Sequence, residues 1–122
     1  MIFGIGTDII EIERVRRAVS SEHFKEKVFT TNEQNYCESR GTQSAASYAA
    51  RFAAKEAFFK ALGTGIFTAL TEVEILNNDA GQPQIFLYGR AKDFAEKLQI
   101  EKISVSLSHC QEFATAFVIL EN

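Results

Sequence analysis

Between Tyr48 and Leu62 the chain carries a helix-forming stretch, Arg51-Phe52-Ala53-Ala54-Lys55-Glu56-Ala57-Phe58-Phe59-Lys60-Ala61, with four charges set in an Ala/Phe background. At about 100° per residue, Glu56 and Lys60 share one stripe and Arg51 and Lys55 another, with Tyr48, Phe52 and Phe59 in the arc between them. The remaining circumference is Ala50, Ala54, Ala57, Phe58, Ala61 and Leu62. A helix apolar on nearly every side packs on nearly every side. The segment is therefore the central element of whatever fold forms, and its charges need partners or a ligand, because unpaired charges are almost never buried.

The same residues have a structural reading. Glu56 four positions before Lys60 is the favoured helical ion pair, contributing roughly 0.2–0.5 kcal/mol on a surface. Arg51 and Lys55 can snorkel from a packed helix. The segment alone leaves both readings open.

The 122 residues suffice for one domain, 1–122, and are too few for two. A hydrophobic fraction of 46%, a charged fraction of 24% and a single Pro describe a globular chain and exclude disorder. Eleven Phe and no Trp are a heavy aromatic load for so small an interior, which points to rings at a subunit interface. A net charge of -3 gives no reason to expect a nucleic-acid partner. Within it, however, Arg14, Arg16, Arg17, Lys25 and Lys27 form a local basic cluster against Glu22 and Glu26. Cys37 and Cys110 have neither disulfide-framework nor zinc spacing. The apolar start is cut short by Thr7 and Asp8, so neither a signal peptide nor a membrane span is expected, and the chain reads as cytoplasmic.

Ile2, Phe3 and Ile5, with Gly4 and Gly6, predict an opening strand ending near Asp8 to Ile10. Ile12, Val15 and Val19 give the apolar stripe of a short helix over Glu11–Ser20, leaving Arg14 and Arg17 facing solvent. His23–Val28 adds a helical turn. Thr30-Thr31-Asn32-Glu33 reads as an N-cap with an acidic first turn, opening a helix to about Glu38, and Gly41-Thr42 breaks it. The long helix spans about Gln43–Leu62 and stops at Gly63-Thr64-Gly65. Glu72–Leu76 and Gln84–Tyr88 form a hairpin around Asn77–Pro83. Gly89–Gln99 is an amphipathic helix, and Ile103–Ser108 with Phe113–Leu120 form a second hairpin turning near Gln111-Glu112. This order predicts an α+β fold, with a largely antiparallel sheet packed against the long central helix.

Asp8 is expected at the end of the first strand, where Asp is usually a turn or cap residue. Paired with Glu56 it can instead hold a hard cation such as Mg²⁺, which keeps several waters and is completed by substrate phosphates. Lys60, one turn beyond Glu56, then supplies a counter-charge for a phosphate oxygen. His109, after a strand, is either a satisfied hydrogen-bonding residue or a phosphate or proton-transfer group.

Three segments together resemble one family: Ile5-Gly6-Thr7-Asp8-Ile9-Ile10-Glu11-Ile12 with Arg14; Arg51 to Ala61 with Gly63-Thr64-Gly65; and Val105-Ser106-Leu107-Ser108-His109. They are similar, in the same order and across essentially the whole chain, to the holo-[acyl-carrier-protein] synthases, the short bacterial 4'-phosphopantetheinyl transferases. The resemblance implies Mg²⁺-dependent transfer of 4'-phosphopantetheine from coenzyme A to a serine of apo acyl carrier protein, in support of fatty acid biosynthesis. It implies that Asp8 and Glu56 bind the metal, that Lys60 meets the pyrophosphate, and that Glu56 helps deprotonate the serine, directly or through a metal-bound water. It places Arg51, Lys60, Gly63, Thr64, Gly65, the Asn77–Pro83 loop with Pro83, and His109 at coenzyme A, and Arg14 and Arg17 at acyl carrier protein. It further implies a homotrimer with sites between subunits, and no membrane partner. Cys110 departs from the small polar or acidic residue usual after the histidine.

Overall fold

The computed structural model describes residues 1–122. Strand β1 (Ile2–Glu11) leads directly into helix α1 (Ile12–Ala18), followed by α2 (Glu22–Val28), α3 (Thr31–Glu38) and the long α4 (Ser44–Leu62). Then come β2 (Val73–Asn77), β3 (Pro83–Leu87), α5 (Gly89–Lys97), β4 (Lys102–His109) and β5 (Phe113–Glu121). Each predicted element is present. All strand pairs are antiparallel, but they form two sheets: β1-β5-β4, and the separate β2-β3 hairpin.

β1 alternates strictly. Gly4, Gly6, Asp8 and Ile10 face inward, while Phe3, Ile5, Thr7 and Ile9 face out. α4 lies across the inner face, chiefly over β1 and β5. The approach is close because both sides are small. A Cβ on Gly4 would sit 1.9 Å from the Ala61 carbonyl oxygen, and one on Gly6 would sit 1.9 Å from that of Ala57. On β5, Ala114 and Ala116 face the same helix and are fully covered. Backbone therefore packs nearly on backbone, which only glycine and alanine permit.

Fourteen of the nineteen α4 residues are buried, as a helix apolar all round requires. Its first half packs with Ile12, Val15, Phe29 and Cys37, and its second half with Val73, Ile75, Val118 and Leu120. Gly63 ends it in the left-handed conformation at φ 81°, its N–H bonding the carbonyls of Phe59 and Lys60, both at 3.1 Å. α3 opens with a full capping box: the Thr30 hydroxyl accepts from Glu33 N at 3.1 Å and Glu33 Oε1 accepts from Thr30 N at 2.9 Å.

The outer face of the three-stranded sheet is divided. β4 presents Ser104, Ser106 and Ser108. β1 and β5 present Ile5 (54% exposed), Ile9 (63%), Phe113 (39%) and Phe117 (45%), an apolar patch on a chain of this size. No helix is long and apolar enough to cross a membrane.

Candidate active site

Two of the four α4 charges are structural. Lys55 is fully buried, its Nζ 2.9 Å from Glu33 Oε1, 2.9 Å from the Leu70 carbonyl and 2.6 Å from that of Val73. It does not snorkel. Burial pushes its pKa below the usual lysine value, opposed by the charge and hydrogen bond of Glu33. Arg51 is likewise buried, with Nη2 2.9 Å from Asn77 Oδ1 and Nη1 3.2 Å from Ser47 Oγ.

Glu56 and Lys60 lie on the stripe facing β1. Lys60 does not take Glu56 as its ion-pair partner, as helical spacing alone suggests. Its Nζ reaches the strand, 3.0 Å from Asp8 Oδ1 and 3.1 Å from the Thr7 carbonyl. Asp8 is not at the strand end either. β1 runs three residues further, to Glu11, so Asp8 projects from mid-strand, inward, with its side chain 16% exposed. The glycine track at Gly4 and Gly6 brings it there, because it lets the helix lie against the strand.

Glu56 holds its proton more tightly than an ordinary glutamate. Partial burial is the main cause and the Asp8 carboxylate adds to it, while Lys60 acts the other way. Two carboxylates that repel each other beside one exposed ammonium form a site short of positive charge. No third His, Cys, Asp or Glu joins them in a closed cage. Such hard oxygen donors fit a cation that keeps water and substrate oxygens in its coordination, as Mg²⁺ does.

The remaining expected residues fall in three other places. Arg51 and His109 line one cavity of about 280 Å³ with Tyr36, Arg40, Gln43 and Ser47. Thr64, between Gly63 and Gly65, which both have positive φ, lines a second of about 460 Å³ with Phe67, Arg90, Phe94 and Lys97. Pro83 opens β3 and lines a third of about 330 Å³ with Lys102 to Val105 of β4. Arg51 and Lys60 are nine positions apart on α4, hence about 13 Å along its axis and about 180° around it. Within one chain, therefore, the Arg51/His109 cavity and the Asp8–Glu56–Lys60 cluster lie on opposite sides of the helix.

Arg14 and Arg17 are exposed on α1 without an acidic partner, whereas Arg16 pairs with Glu13 at 2.6 Å and Lys25 with Glu22 at 3.1 Å. The structure also adds residues that sequence reasoning did not single out. Arg90 and Lys97, with Asp93 beside them, line the Thr64 cavity, and Tyr36 joins Asn77, already expected in the donor-side loop, in holding Arg51. Spacing within one helix carries no signal for these, since each reaches its neighbours from another element.

Residues 4–118 match the 4'-phosphopantetheinyl transferase superfamily. The chain belongs to that superfamily. Its relatives within the phosphopantetheinyl transferases include a holo-[acyl-carrier-protein] synthase of Ruminiclostridium cellulolyticum, 52% identical over 120 residues, covering 95% of this chain and 90% of the relative. The fold superposes on the crystal structure of a holo-[acyl-carrier-protein] synthase from Neisseria meningitidis with a TM-score of 0.91 at 33% identity, covering 100% of both chains. It is also similar to a Bacillus anthracis holo-(acyl-carrier-protein) synthase in complex with CoA (3',5'-ADP), with a TM-score of 0.81 at 36% identity over 98% of this chain and 96% of that one.

Proposed function

We propose that the chain transfers the 4'-phosphopantetheine group of coenzyme A to a serine hydroxyl of apo acyl carrier protein. The observation that carries this reading is the cluster of Asp8, Glu56 and Lys60 in a chain of this family, with the Lys60 ammonium 3.0 Å from the Asp8 carboxylate and Glu56 one turn before it. The holo-[acyl-carrier-protein] synthase relatives support the substrate pair.

Phosphoryl transfer is mostly positioning and charge neutralisation. The serine Oγ attacks the phosphorus bearing the pantetheine. As that O–P bond forms, the bridging P–O bond of the diphosphate breaks and adenosine 3',5'-bisphosphate leaves. The Glu56 carboxylate is the acceptor for the serine proton. Lys60, more than half exposed, turns its ammonium to the charge that grows on the leaving oxygens. Asp8 and Glu56 would hold Mg²⁺, which when bound supplies further charge neutralisation at the diphosphate.

The donor is proposed to lie between two copies of the chain. Arg51 with His109, and Pro83 on the β3 side, contact it from one copy, while Lys60 and the Gly63-Thr64-Gly65 turn contact it from the other. The 180° separation of Arg51 and Lys60 on α4 supports this, and the apolar outer face of Ile5, Ile9, Phe113 and Phe117 is available to join the copies. A homotrimer is the assembly that the family resemblance implies. Arg14 and Arg17 are proposed to receive an acidic helix of the carrier protein. The free thiols of Cys37 and Cys110 suit a reducing cytoplasm.

The test is the intact mass of apo acyl carrier protein after incubation with this protein, coenzyme A and Mg²⁺. One added phosphopantetheine group is expected, absent with EDTA and with Glu56→Ala. No mass gain on any of several carrier proteins, alongside a working control enzyme, overturns the reading. Sedimentation of the purified protein tests the assembly: a monomer at micromolar concentration that is nonetheless active would refute the shared site.

A further inference from the structure

Arg51 Nε is the one buried side-chain nitrogen or oxygen without a hydrogen-bond partner. Such an atom is costly to leave alone and calls for an explanation. The rest of the guanidinium is held from three directions. Asn77 Oδ1 accepts from Nη2 at 2.9 Å, Ser47 Oγ accepts from Nη1 at 3.2 Å, and the Tyr36 ring lies with its centroid 4.4 Å from the guanidinium carbon. The free Nε therefore belongs to a cation fixed in place beside a cavity, together with Arg40 and His109.

Asn77 has a second attachment. Its Nδ2 donates to the Tyr36 hydroxyl at 3.1 Å and to the Gly81 carbonyl at 3.3 Å. Gly81 lies in the hairpin loop, which is rigid on its own account: Asn78 Oδ1 accepts from Ala80 N at 3.0 Å and from Gln82 N at 2.9 Å, and the loop ends at Pro83. One amide side chain thus ties the Arg51 guanidinium, the ring beneath it and the β2-β3 loop into a single unit. The Tyr36 ring also faces the Arg40 guanidinium at 5.6 Å, so its π face offsets part of the repulsion between two cations lining one cavity.

We infer that Asn77 and Tyr36 are positioning residues for donor binding, holding Arg51 ready for an anionic group of coenzyme A. This rests on the proposed placement of Arg51 at the donor. Neither residue touches the reacting phosphorus. Their effect is on the affinity for coenzyme A, through the ordering of Arg51 before the ligand arrives.

A double-mutant cycle tests this, using the parent protein, Asn77→Leu, Arg51→Ala and the double variant, each checked for melting temperature and assembly state. Arg51→Ala is expected to raise the KM and Kd for coenzyme A. Asn77→Leu is expected to raise both about five- to twenty-fold with kcat within about two-fold, and to add no further loss when Arg51 is already Ala. Tyr36→Leu is expected to follow the same pattern. An equal rise from Asn77→Leu in both backgrounds, or a fall in kcat at constant KM, overturns the inference while leaving Arg51 at the donor. An unchanged KM in Arg51→Ala instead overturns the placement of Arg51, and the inference with it. Should Asn77→Leu melt early, Asn77→Ser removes the same bonds with less bulk and is judged by the same outcomes.

Discussion

The Cα of Gly6 lies so close to the Ala57 carbonyl that a methyl group there would stand 1.9 Å from the oxygen and 2.7 Å from the Ala61 nitrogen. Neither contact is with a movable side chain. Gly6→Ala must force β1 and α4 apart, at a cost of about 3 kcal/mol or more. Because Asp8 and Lys60 sit on the two elements being separated, the loss of kcat should exceed what the unfolded fraction explains. Urea unfolding beside activity at a temperature where the variant is folded measures both.

Glu56 is held above the ordinary glutamate range by burial first and by Asp8 second. The folded chain therefore binds that proton more tightly than the unfolded chain. Its contribution to stability is present in full below the unfolded pKa and is lost as pH rises through the folded one. Glu56→Gln is expected to abolish transfer yet raise Tm at neutral and higher pH, the gain vanishing in acid. Melting curves across pH in buffer free of divalent metal check the sign, and an unchanged or lowered Tm at pH 8 would contradict it.

Lys55 and Glu33 are a fully buried pair, and Glu33 Oε2 also accepts from Ile75 N at 2.8 Å. Lys55→Met strands the glutamate charge and should cost about 3–5 kcal/mol. Adding Glu33→Gln removes the charge but keeps only one of the two acceptors that bond Thr30 N and Ile75 N, and should recover part of that loss. Equilibrium unfolding of the two variants measures the recovery, and a Lys55→Met cost below about 1 kcal/mol would mean that the ion pair contributes little.

Arg14 and Arg17 are free on the surface of α1. Replacing both with Ser should raise the KM for acyl carrier protein about ten-fold at low salt and less at high salt, with the KM for coenzyme A unchanged. Kinetics at two ionic strengths suffice to test it.

The elements were legible because their signals are local. The Thr30–Glu33 cap, the Gly63 stop and the alternation of Phe113–Leu120 each sit within a few residues of what they determine. Partners were less legible. Periodicity put Glu56 and Lys60 on one stripe and suggested that they pair, but Lys60 bonds Asp8, fifty-two residues away in sequence. Arg51 and Lys55 looked alike from spacing, yet one ends beside a cavity and the other in a sealed ion pair, a difference set by Asn77, Tyr36 and Glu33 arriving from elsewhere. Gly4 and Gly6 were readable as strand residues. Their meaning depended on Ala57 and Ala61 standing opposite.

β1 gives its two sides different tasks: Gly4, Gly6 and Asp8 inward, Ile5 and Ile9 outward. With a side-chain period of two, deleting Gly6 or Thr7 would put Ile5 and Asp8 out of step, either driving Ile5 toward the Ala57 carbonyl or turning the carboxylate away from Lys60. The strand can drift in sequence by substitution on its outer side, but the spacing from Gly4 to Asp8 cannot change by a single residue. Lineages of this chain should therefore place insertions and deletions ahead of Gly4, where the pairing with β5 already shifts register.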